Sequence, residues 1–409
     1  MLSELKKVRF PVETGLLFAF CLVLPLVEFW KALFWLAYVL TWLVNRVRSR
    51  GFGGSWHWWD TLVLFWIGSA YLAAVFAGLG GSAWAKTGDV ATHVLLLWLV
   101  MRGGYSEREL RWFLGALVAS TIAGLAYGYW RIWSGAGKSG TLQLHSVGHV
   151  NHSAIYLAVM VGVCVSWLFA RWQAWPPGRR ASGLAIALLV TTSLAVTASR
   201  GAIAAGFALV LLLAAAWWPR WRGALLGSVA AATIAAALLV GLGAEVVRKQ
   251  LDNAAAGNVL SFRDGIWRMG LAAWEKYPWF GVGKDNYGRI TPDRVREWRT
   301  EAGREYDASR YVQFPHAHNL YVNTLAERGA VGFAGVAALL VAWLVSLLRY
   351  RPRPDAGDFA WLAWGGAAGA WLVTAGVGIV NTTLHHEHGQ LVVLLLGVWL
   401  STLTARRAS

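Results

Sequence analysis

The chain has 409 residues, of which 57% are hydrophobic and only 14% are charged, although 37 Lys and Arg against 21 Asp and Glu give a net charge of +16. A nucleic-acid-binding protein of this basicity is typically richer in charged residues, and a disordered chain lacks so many apolar ones, so both classes are excluded. The 27 Trp suit a membrane protein, because indole rings concentrate at membrane–water interfaces. The composition therefore predicts an integral membrane protein.

Apolar segments of about 20 residues, the length that a helix needs to cross a bilayer, recur along the chain. We predict twelve, near residues 10–27, 30–45, 59–78, 88–101, 110–130, 151–170, 182–199, 201–218, 223–243, 319–348, 359–380 and 387–404. The predicted fold is therefore an all-α polytopic membrane protein with about 12 transmembrane helices. Residues 1–244 contain the first nine helices, residues 245–318 form a long loop, and residues 319–409 contain the last three.

Lys and Arg cluster in alternate connections between these segments, and cytoplasmic loops carry such an excess. The clusters comprise Lys6, Lys7 and Arg9; Arg46, Arg48 and Arg50; Arg102, Arg108 and Arg111; Arg171, Arg179 and Arg180; Arg220 and Arg222; Arg349, Arg351 and Arg353; and Arg406 and Arg407. We therefore expect both termini in the cytoplasm, with most of these cations facing anionic lipid headgroups. No cleavable signal peptide is expected, because the first apolar segment leads directly into another.

The long loop at residues 245–318 lies on the outer side in this topology and is rich in both aromatic and charged residues. Two helices are predicted within it. The first runs from Ser261, as N-cap, to about Lys276, and the second runs from Thr291 to about Asp307, with proline at its first helical position. The loop is thus predicted to be a folded helical unit.

Histidines are placed asymmetrically with respect to the predicted membrane. Only His57 lies on the inner side, whereas the others lie on or near the outer side: His93, His145, His149, His152, His316, His318, His385, His386 and His388. A metal site built from His316, His318 and the 385–388 group is one interpretation. Its spacing is not diagnostic, and neither Cys nor a tight carboxylate set completes it, so a histidine general base with arginine partners is the favoured alternative.

Three arginines are candidates for such partners. Arg200 lies in a tight outer turn between two apolar segments, while Arg263 and Arg268 lie five residues apart on the first loop helix, about 140° apart around its axis. Guanidinium groups grip phosphate oxygens with fixed donors and a permanent charge. Because no ATP is present outside the inner membrane, an outer site of this kind suggests group transfer from a lipid-linked pyrophosphate, which carries its own leaving group.

Several motifs resemble those of the bacterial O-antigen ligases. His318-Asn319, then nine residues, then Gly329-Ala330-Val331-Gly332 matches the family pattern His-(Asn/Ser/Gln)-x9-Gly-x-x-(Gly/Thr/Tyr). Further similar segments are Gly148-His149-Val150-Asn151-His152, Ser199-Arg200-Gly201 and Ser261-Phe262-Arg263. The resemblance extends over the whole predicted topology, with its specific motifs between residues 148 and 332.

The resemblance implies a glycosyltransferase (GT-C-like) membrane architecture and an inverting, metal-independent enzyme without cofactors. It implies transfer of O-antigen polysaccharide from undecaprenyl pyrophosphate to the lipid A core oligosaccharide, at a periplasmic site in the inner membrane of a Gram-negative bacterium. His318 is then the catalytic base, and Arg200 and Arg263, with Arg268, bind the donor pyrophosphate. Asn319 and Asn151 are supporting residues from the matching segments, whereas Arg268, and His316 and Arg328 as further supporting residues, are assigned from their neighbourhood to these motifs. Both substrates are lipids, and no nucleic-acid partner is expected.

Two classes of alternative remain open. An O-antigen polymerase or a protein O-oligosaccharyltransferase would share the histidine motif and the lipid-linked donor. Polymerases usually have two sizeable outer loops where this chain has one, and the O-oligosaccharyltransferases tend to carry a C-terminal soluble region, which is not expected here. A transporter of lipid-linked glycans would also have twelve spans, but such proteins often contain an internal repeat, and none is evident in the sequence.

Overall fold

The computed structural model describes residues 9–136, 142–146, 149–197, 199–217 and 262–408, and these residues form helices and turns without a strand. The helices, in chain order, are α1 Pro11–Val23, α2 Glu28–Ser49, α3 Trp58–Val75, α4 Ala83–Lys86, α5 Gly88–Arg102, α6 Glu107–Trp133, α7 Val150–Arg171, α8 Pro177–Val196, α9 Arg200–Trp217, α10 Arg263–Lys276, α11 Pro292–Glu301, α12 Leu320–Arg349, α13 Asp358–Leu372 and α14 His386–Ala408. Short 3-10 turns lie at Tyr287–Arg289 and Ala308–Arg310, and a π turn at Val373–Val377 extends α13.

The helices have the length and composition of a polytopic membrane protein. Within the described residues, seven are long and apolar enough to cross a bilayer, namely α3, α6, α7, α8, α9, α12 and α13 with its π turn. Each predicted segment that falls within the described residues coincides with a helix. The segment predicted at 223–243 lies outside the described residues, as do Lys6, Lys7, Arg220 and Arg222.

Helix α7 occupies the centre of the bundle, since 89% of its apolar window is buried. It packs against α13, α8 and α9, while α12 packs against α3 and α14 against α5. Small residues allow the closest of these approaches. A Cβ atom added to Gly162 would lie 3.2 Å from the Cα of Gly369, and one added to Gly365 would lie 2.2 Å from Oγ of Ser166. Such glycines let helix backbones meet where lipid provides no hydrophobic drive for association.

Two of the cations expected to face lipid headgroups point into the protein. Arg46 forms a buried ion pair with Glu13, with Nη2 3.0 Å from Oε1. Arg102 forms a buried ion pair with Asp60, and its guanidinium also donates to the carbonyls of Gly53, Gly54 and Ser55. Arg46 and Arg102 are therefore exceptions to the expectation that most of these cations face lipid. A buried guanidinium needs a carboxylate or carbonyl partner, and the sequence alone did not reveal these partners.

The long loop has a hydrophobic core of its own, formed chiefly by Ile266, Met269, Tyr287, Val295 and Trp298. Helix α10 packs against α11 and against the start of α12, which fixes the loop to the membrane bundle.

Both predicted loop helices are present, but their ends differ from the prediction. Helix α10 begins at Arg263 with Phe262 at the N-cap position in a left-handed conformation, and Ser261, the predicted cap, lies outside the described residues. Helix α11 ends at Glu301 and not at Asp307. Gly303, at φ +65°, follows this end, and Asp307 accepts the amide of Ser309 as a 3-10 turn begins.

Helix α12 is interrupted at Gly329, whose φ of 60° and ψ of −164° are not helical. The segment at residues 278–283 runs alongside the break. The amides of Ala330 and Val331 donate to the carbonyls of Pro278 and Trp279 at 2.8 and 3.1 Å. The carbonyls of Ala326 and Glu327 accept from the amides of Val282 and Gly283, both at 2.8 Å. These bonds satisfy backbone groups that a broken helix exposes, so the span predicted at 319–348 consists of a short helix before Gly329 and a long one after it.

Candidate functional site

His318 lies at the junction between the loop and α12, with a φ of +48°. Its neighbours in sequence are held firmly on both sides. The amide of Ala317 donates to Oδ1 of Asn323 at 2.9 Å, and its carbonyl accepts from Nε1 of Trp267 at 3.0 Å. Asn319 caps α12, because its Oδ1 accepts the amides of Tyr321 and Val322 at 2.9 and 3.0 Å. The left-handed turn at His318, which histidine adopts more readily than most residues, is thus imposed by fixed flanking segments.

The imidazole of His318 is surrounded by other rings and by positive charge. The rings of His316 and Phe314 lie 4.2 and 4.8 Å from it, centroid to centroid. Burial, and after it the proximity of His316 and Arg263, lowers the pKa of His318 from 6.5 to about 4. Burial also lowers the pKa of His316, with His149 contributing. With its pKa lowered to about 4, the His318 imidazole is neutral near pH 7, the state in which it can accept a proton.

Arg200 and Arg263 converge on the same end of the bundle. Arg200 is the first residue of α9, and Arg263 is the first residue of α10. Burial, followed by the charge of Arg200, lowers the pKa of Arg263. The backbone supports this placement, because a Cβ atom on Gly201 would lie 2.7 Å from the side chain of Val380, and Nδ2 of Asn319 donates to the carbonyl of Ile379 at 2.8 Å. The 379–380 turn therefore joins the start of α9 to the residue next to His318.

Further histidines lie together beside this site. The ring of His152 on α7 lies 4.9 Å from that of His386 and 5.2 Å from that of His388, and the ring of His149 lies 5.6 Å from that of His152. Burial and the neighbouring His386 lower the pKa of His385. Within the described residues, no group of His, Cys, Asp and Glu has an arrangement that could hold a metal ion. The structure thus places several of the outer histidines close to each other, although they lie in separate segments of the sequence.

The remaining predicted site residues occupy different surroundings. Asn151 lies at the start of α7, where its amide donates to Nδ1 of His149 at 3.2 Å. Arg328 is buried just before the break in α12, and its Nη2 donates to Oγ1 of Thr324 at 3.2 Å. Arg268 is exposed on α10 and lines a cavity with Arg299, Tyr306 and other loop residues. Of the predicted set, Arg200, Arg263, His316, His318 and Asn319 are the residues that lie together.

Sequence reasoning missed a buried ion pair at the start of α14. Glu387 pairs with Lys31 of α2, and Oγ of Ser146 donates to the same carboxylate oxygen at 3.1 Å. The carbonyl of the preceding residue, His386, lies 3.3 Å from Nε2 of His93. Lys31 lies outside the seven cation clusters of the sequence, so the sequence pattern gave no partner for it. An acid between two histidines, Glu387 in His386-Glu387-His388, is the sequence signal that could have indicated a buried partner for it.

Comparison with known proteins agrees with the resemblance seen in the motifs. A family model described as O-antigen ligase matches residues 184–337, a segment that contains Arg200, Arg263 and His318. The chain therefore combines helices long and apolar enough to span a membrane with a segment similar to the O-antigen ligases. Residues 184–337 belong to the O-antigen ligase superfamily, as the sequence predicted. No curated protein matches the chain.

Proposed function

We propose that this protein is an O-antigen ligase that transfers O-antigen polysaccharide from undecaprenyl pyrophosphate to the lipid A core oligosaccharide. The observation that carries the proposal is the meeting of a neutral histidine, His318, with two arginines, Arg200 and Arg263, from separate helices inside the segment that matches the family. The imidazole can accept a proton and the two guanidinium groups can bind a diphosphate. Glycosyl transfer from a lipid-linked diphosphate requires both a base and a diphosphate-binding group.

In the proposed reaction, His318 takes the proton of an acceptor hydroxyl while the hydroxyl oxygen attacks the anomeric carbon of the donor. The bond between that carbon and the diphosphate oxygen breaks, and the electron pair leaves with undecaprenyl diphosphate. A single displacement of this kind inverts the anomeric configuration. Nδ1 of His318 is buried and has no hydrogen-bond partner within the described part of the chain, whereas a side-chain hydrogen bond joins the His318 ring to Asn381.

Arg200 and Arg263 are assigned to the diphosphate. Like charges held close together favour an anion between them, and the charge on the leaving diphosphate grows as the glycosidic bond breaks. Arg200 is exposed and Arg263 is half-buried, which suits a ligand that approaches from outside and is partly enclosed. Asn319 supports His318 by capping α12, and His316 supports it by ring contact. Asn151 and Arg328 are assigned structural roles near the start of α7 and at the break in α12.

The site belongs on the periplasmic face of the inner membrane in this proposal, with both termini cytoplasmic and about twelve spans in a glycosyltransferase (GT-C-like) architecture. The clusters of Lys and Arg at the opposite helix ends support this orientation. Donor and acceptor are both lipid-anchored, so the site would receive them from the outer leaflet. No cofactor is assigned.

Reconstitution tests the proposal and separates it from its relatives. The purified protein in nanodiscs is given undecaprenyl pyrophosphate-linked O-antigen together with rough lipopolysaccharide, and the product is resolved by gel. Attachment of labelled polysaccharide to lipid A core is the expected result. Lengthening of the donor chain would identify a polymerase, and transfer to a protein acceptor would identify an O-oligosaccharyltransferase. Movement of the donor across liposomes without transfer would contradict the assignment of an enzyme.

A further inference from the structure

The long loop contains a cavity of about 470 Å³ between α10, α11 and the 3-10 turn that follows α11. Its lining includes Arg268, Glu275, Arg299, Tyr306 and Tyr311. None of these residues takes part in the proposed transfer step. A volume of this size accommodates a small ligand or one part of a larger one.

Two tyrosines give the cavity a flat aromatic wall. The rings of Tyr306 and Tyr311 are stacked, with centroids 5.3 Å apart and an angle of 10° between their planes. Both rings are half-buried and pack against the core of the loop, so they are held in place from behind. An aromatic face with a polar hydroxyl at its edge offers apolar contact and hydrogen bonding to the same ligand.

The charges in the lining balance, with three Arg against two Glu and one Asp. Some of these charged groups form ion pairs within the loop. Glu275 accepts from Nη1 of Arg299 at 3.3 Å and from Nη1 of Arg304 at 2.6 Å. The side chain of Arg268 is exposed and is not part of these ion pairs. A cavity with both donors and carboxylate acceptors and no net charge suits an uncharged polyhydroxyl ligand better than a polyanion.

The cavity is connected to the His318 site through the chain. Tyr311 precedes His318 by seven residues, so the two lie within about 25 Å even if the chain between them is fully extended. Arg268 follows Arg263 by five residues on α10, which is about 7.5 Å along the helix axis. The amide of Val312 also donates to the carbonyl of Gly265 at 3.3 Å, which attaches the cavity wall to the helix that carries Arg263.

We propose that this cavity binds an uncharged saccharide segment of the glycan substrate, several sugar residues away from the bond that reacts at His318. The proposal rests on the proposed glycosyl transfer and assigns Arg268 to sugar hydroxyls instead of pyrophosphate. The segment comes either from the O-antigen polysaccharide of the donor or from the core oligosaccharide of the acceptor. The tyrosine wall supports the sugar rings, and the arginine and carboxylate groups bind their hydroxyls.

The test measures binding to the full-length protein in nanodiscs by saturation-transfer-difference NMR. The probes are O-antigen polysaccharide released by mild acid and core oligosaccharide freed of phosphate. Arg268→Ala, at an exposed position, and Tyr311→Leu, which keeps apolar packing, are compared with Arg296→Ala. Arg296 is an exposed residue of α11 that pairs with Asp293 at 3.0 Å and does not line the cavity.

Both cavity variants are expected to weaken binding of one saccharide by roughly tenfold, the effect of losing a hydrogen bond from a charged group or an aromatic contact. Arg296→Ala is expected to bind as the wild type does. Unchanged binding of both saccharides in the cavity variants would overturn the proposal, and so would weaker binding of undecaprenyl diphosphate alone in Arg268→Ala. Saccharide binding that depends on the cavity without any transfer would reject the proposed function and leave this site standing.

Discussion

Arg200 and Arg263 lie close enough that the charge of Arg200, together with burial, lowers the pKa of Arg263. Each is the first residue of its helix, α9 or α10, so the two side chains start from the positive ends of two helix dipoles. An anion between them would be stabilised by both guanidinium groups and by both helix ends. The relationship therefore favours a diphosphate at this point, within reach of His318.

Loss of the imidazole at His318 is expected to abolish most of the transfer. His318→Ala should lower kcat by about 10² to 10⁴, the usual contribution of a general base. Transfer of labelled polysaccharide to lipid A core in nanodiscs measures it. His145→Ala is the matched control, because the His145 ring contacts the carbonyl of Leu26, 2.6 Å from Nδ1, and the ring of Tyr127, and has no role in the proposed transfer. Equal activities of the two variants would contradict the assignment of His318.

Replacement of either arginine by lysine is expected to impair the donor site although the charge is kept. Lysine cannot reproduce the planar fork of donors that a guanidinium presents to phosphate oxygens. Arg200→Lys and Arg263→Lys should each raise the Kd for undecaprenyl pyrophosphate-linked donor by roughly tenfold. Isothermal titration in nanodiscs measures the change. Donor affinity equal to that of the wild type would assign the arginine a structural role.

The pH dependence of transfer is expected to reflect the lowered pKa of His318. Its pKa of about 4 keeps the ring neutral, and able to accept a proton, at any pH well above 4. As the pH falls through about 4, the ring becomes protonated and kcat/KM should decline. Rates measured between pH 3.5 and pH 8 should therefore stay level down to about pH 5. An acidic limb centred near 6.5, the ordinary value, would show that burial does not govern this histidine.

Gly329 is expected to tolerate no side chain. Its φ is +60°, and a Cβ atom would lie 2.3 Å from the carbonyl carbon of Trp279. Gly329→Ala should lower the unfolding free energy by about 1–3 kcal/mol through backbone strain alone, and more through the clash. Thermal unfolding in detergent measures the loss. Gly68→Ala on α3 is the control, since a Cβ there meets nothing within 4 Å and alanine favours a helix. An unaltered melting temperature for Gly329→Ala would contradict the interrupted helix.

Asn319 is expected to act through both ends of its amide group. Asn319→Asp keeps the acceptor for the amides of Tyr321 and Val322 but removes the donor to the carbonyl of Ile379. Asn319→Ala removes both and should cost about 1 kcal/mol more through the lost helix cap. We expect the melting temperatures to fall in the order wild type, Asp, Ala. Transfer rates should follow the same order if the Ile379 contact positions His318. Equal rates in wild type and Asn319→Asp would limit Asn319 to capping.

The lengths of the apolar segments and the spacing of the motifs were enough to predict the helices and the family from the sequence alone. The apolar segments predicted helices that coincide with those of the described residues, because spanning a bilayer requires a long run of apolar side chains whatever the neighbours are. The His318-Asn319 motif and the two arginine segments identified the family to which residues 184–337 belong. The roles of Arg200, Arg263 and His318 remain proposals that rest on those motifs.

Tertiary structure decided which of these residues meet. Arg46 and Arg102 resemble other cations in the sequence, yet they form buried ion pairs with Glu13 and Asp60 inside the bundle. A local pattern does not reveal such long-range partners. The break at Gly329 was likewise hidden within one apolar run, because it depends on backbone bonds from residues 278–283. Arg263 and Arg268 were both assigned to the pyrophosphate from the sequence, but the packing of α10 leaves Arg263 half-buried near Arg200 and Arg268 exposed in the cavity. The sequence indicates which side chains are present and which local structure they adopt. Which side chains contact each other depends on packing between segments that are far apart in the chain.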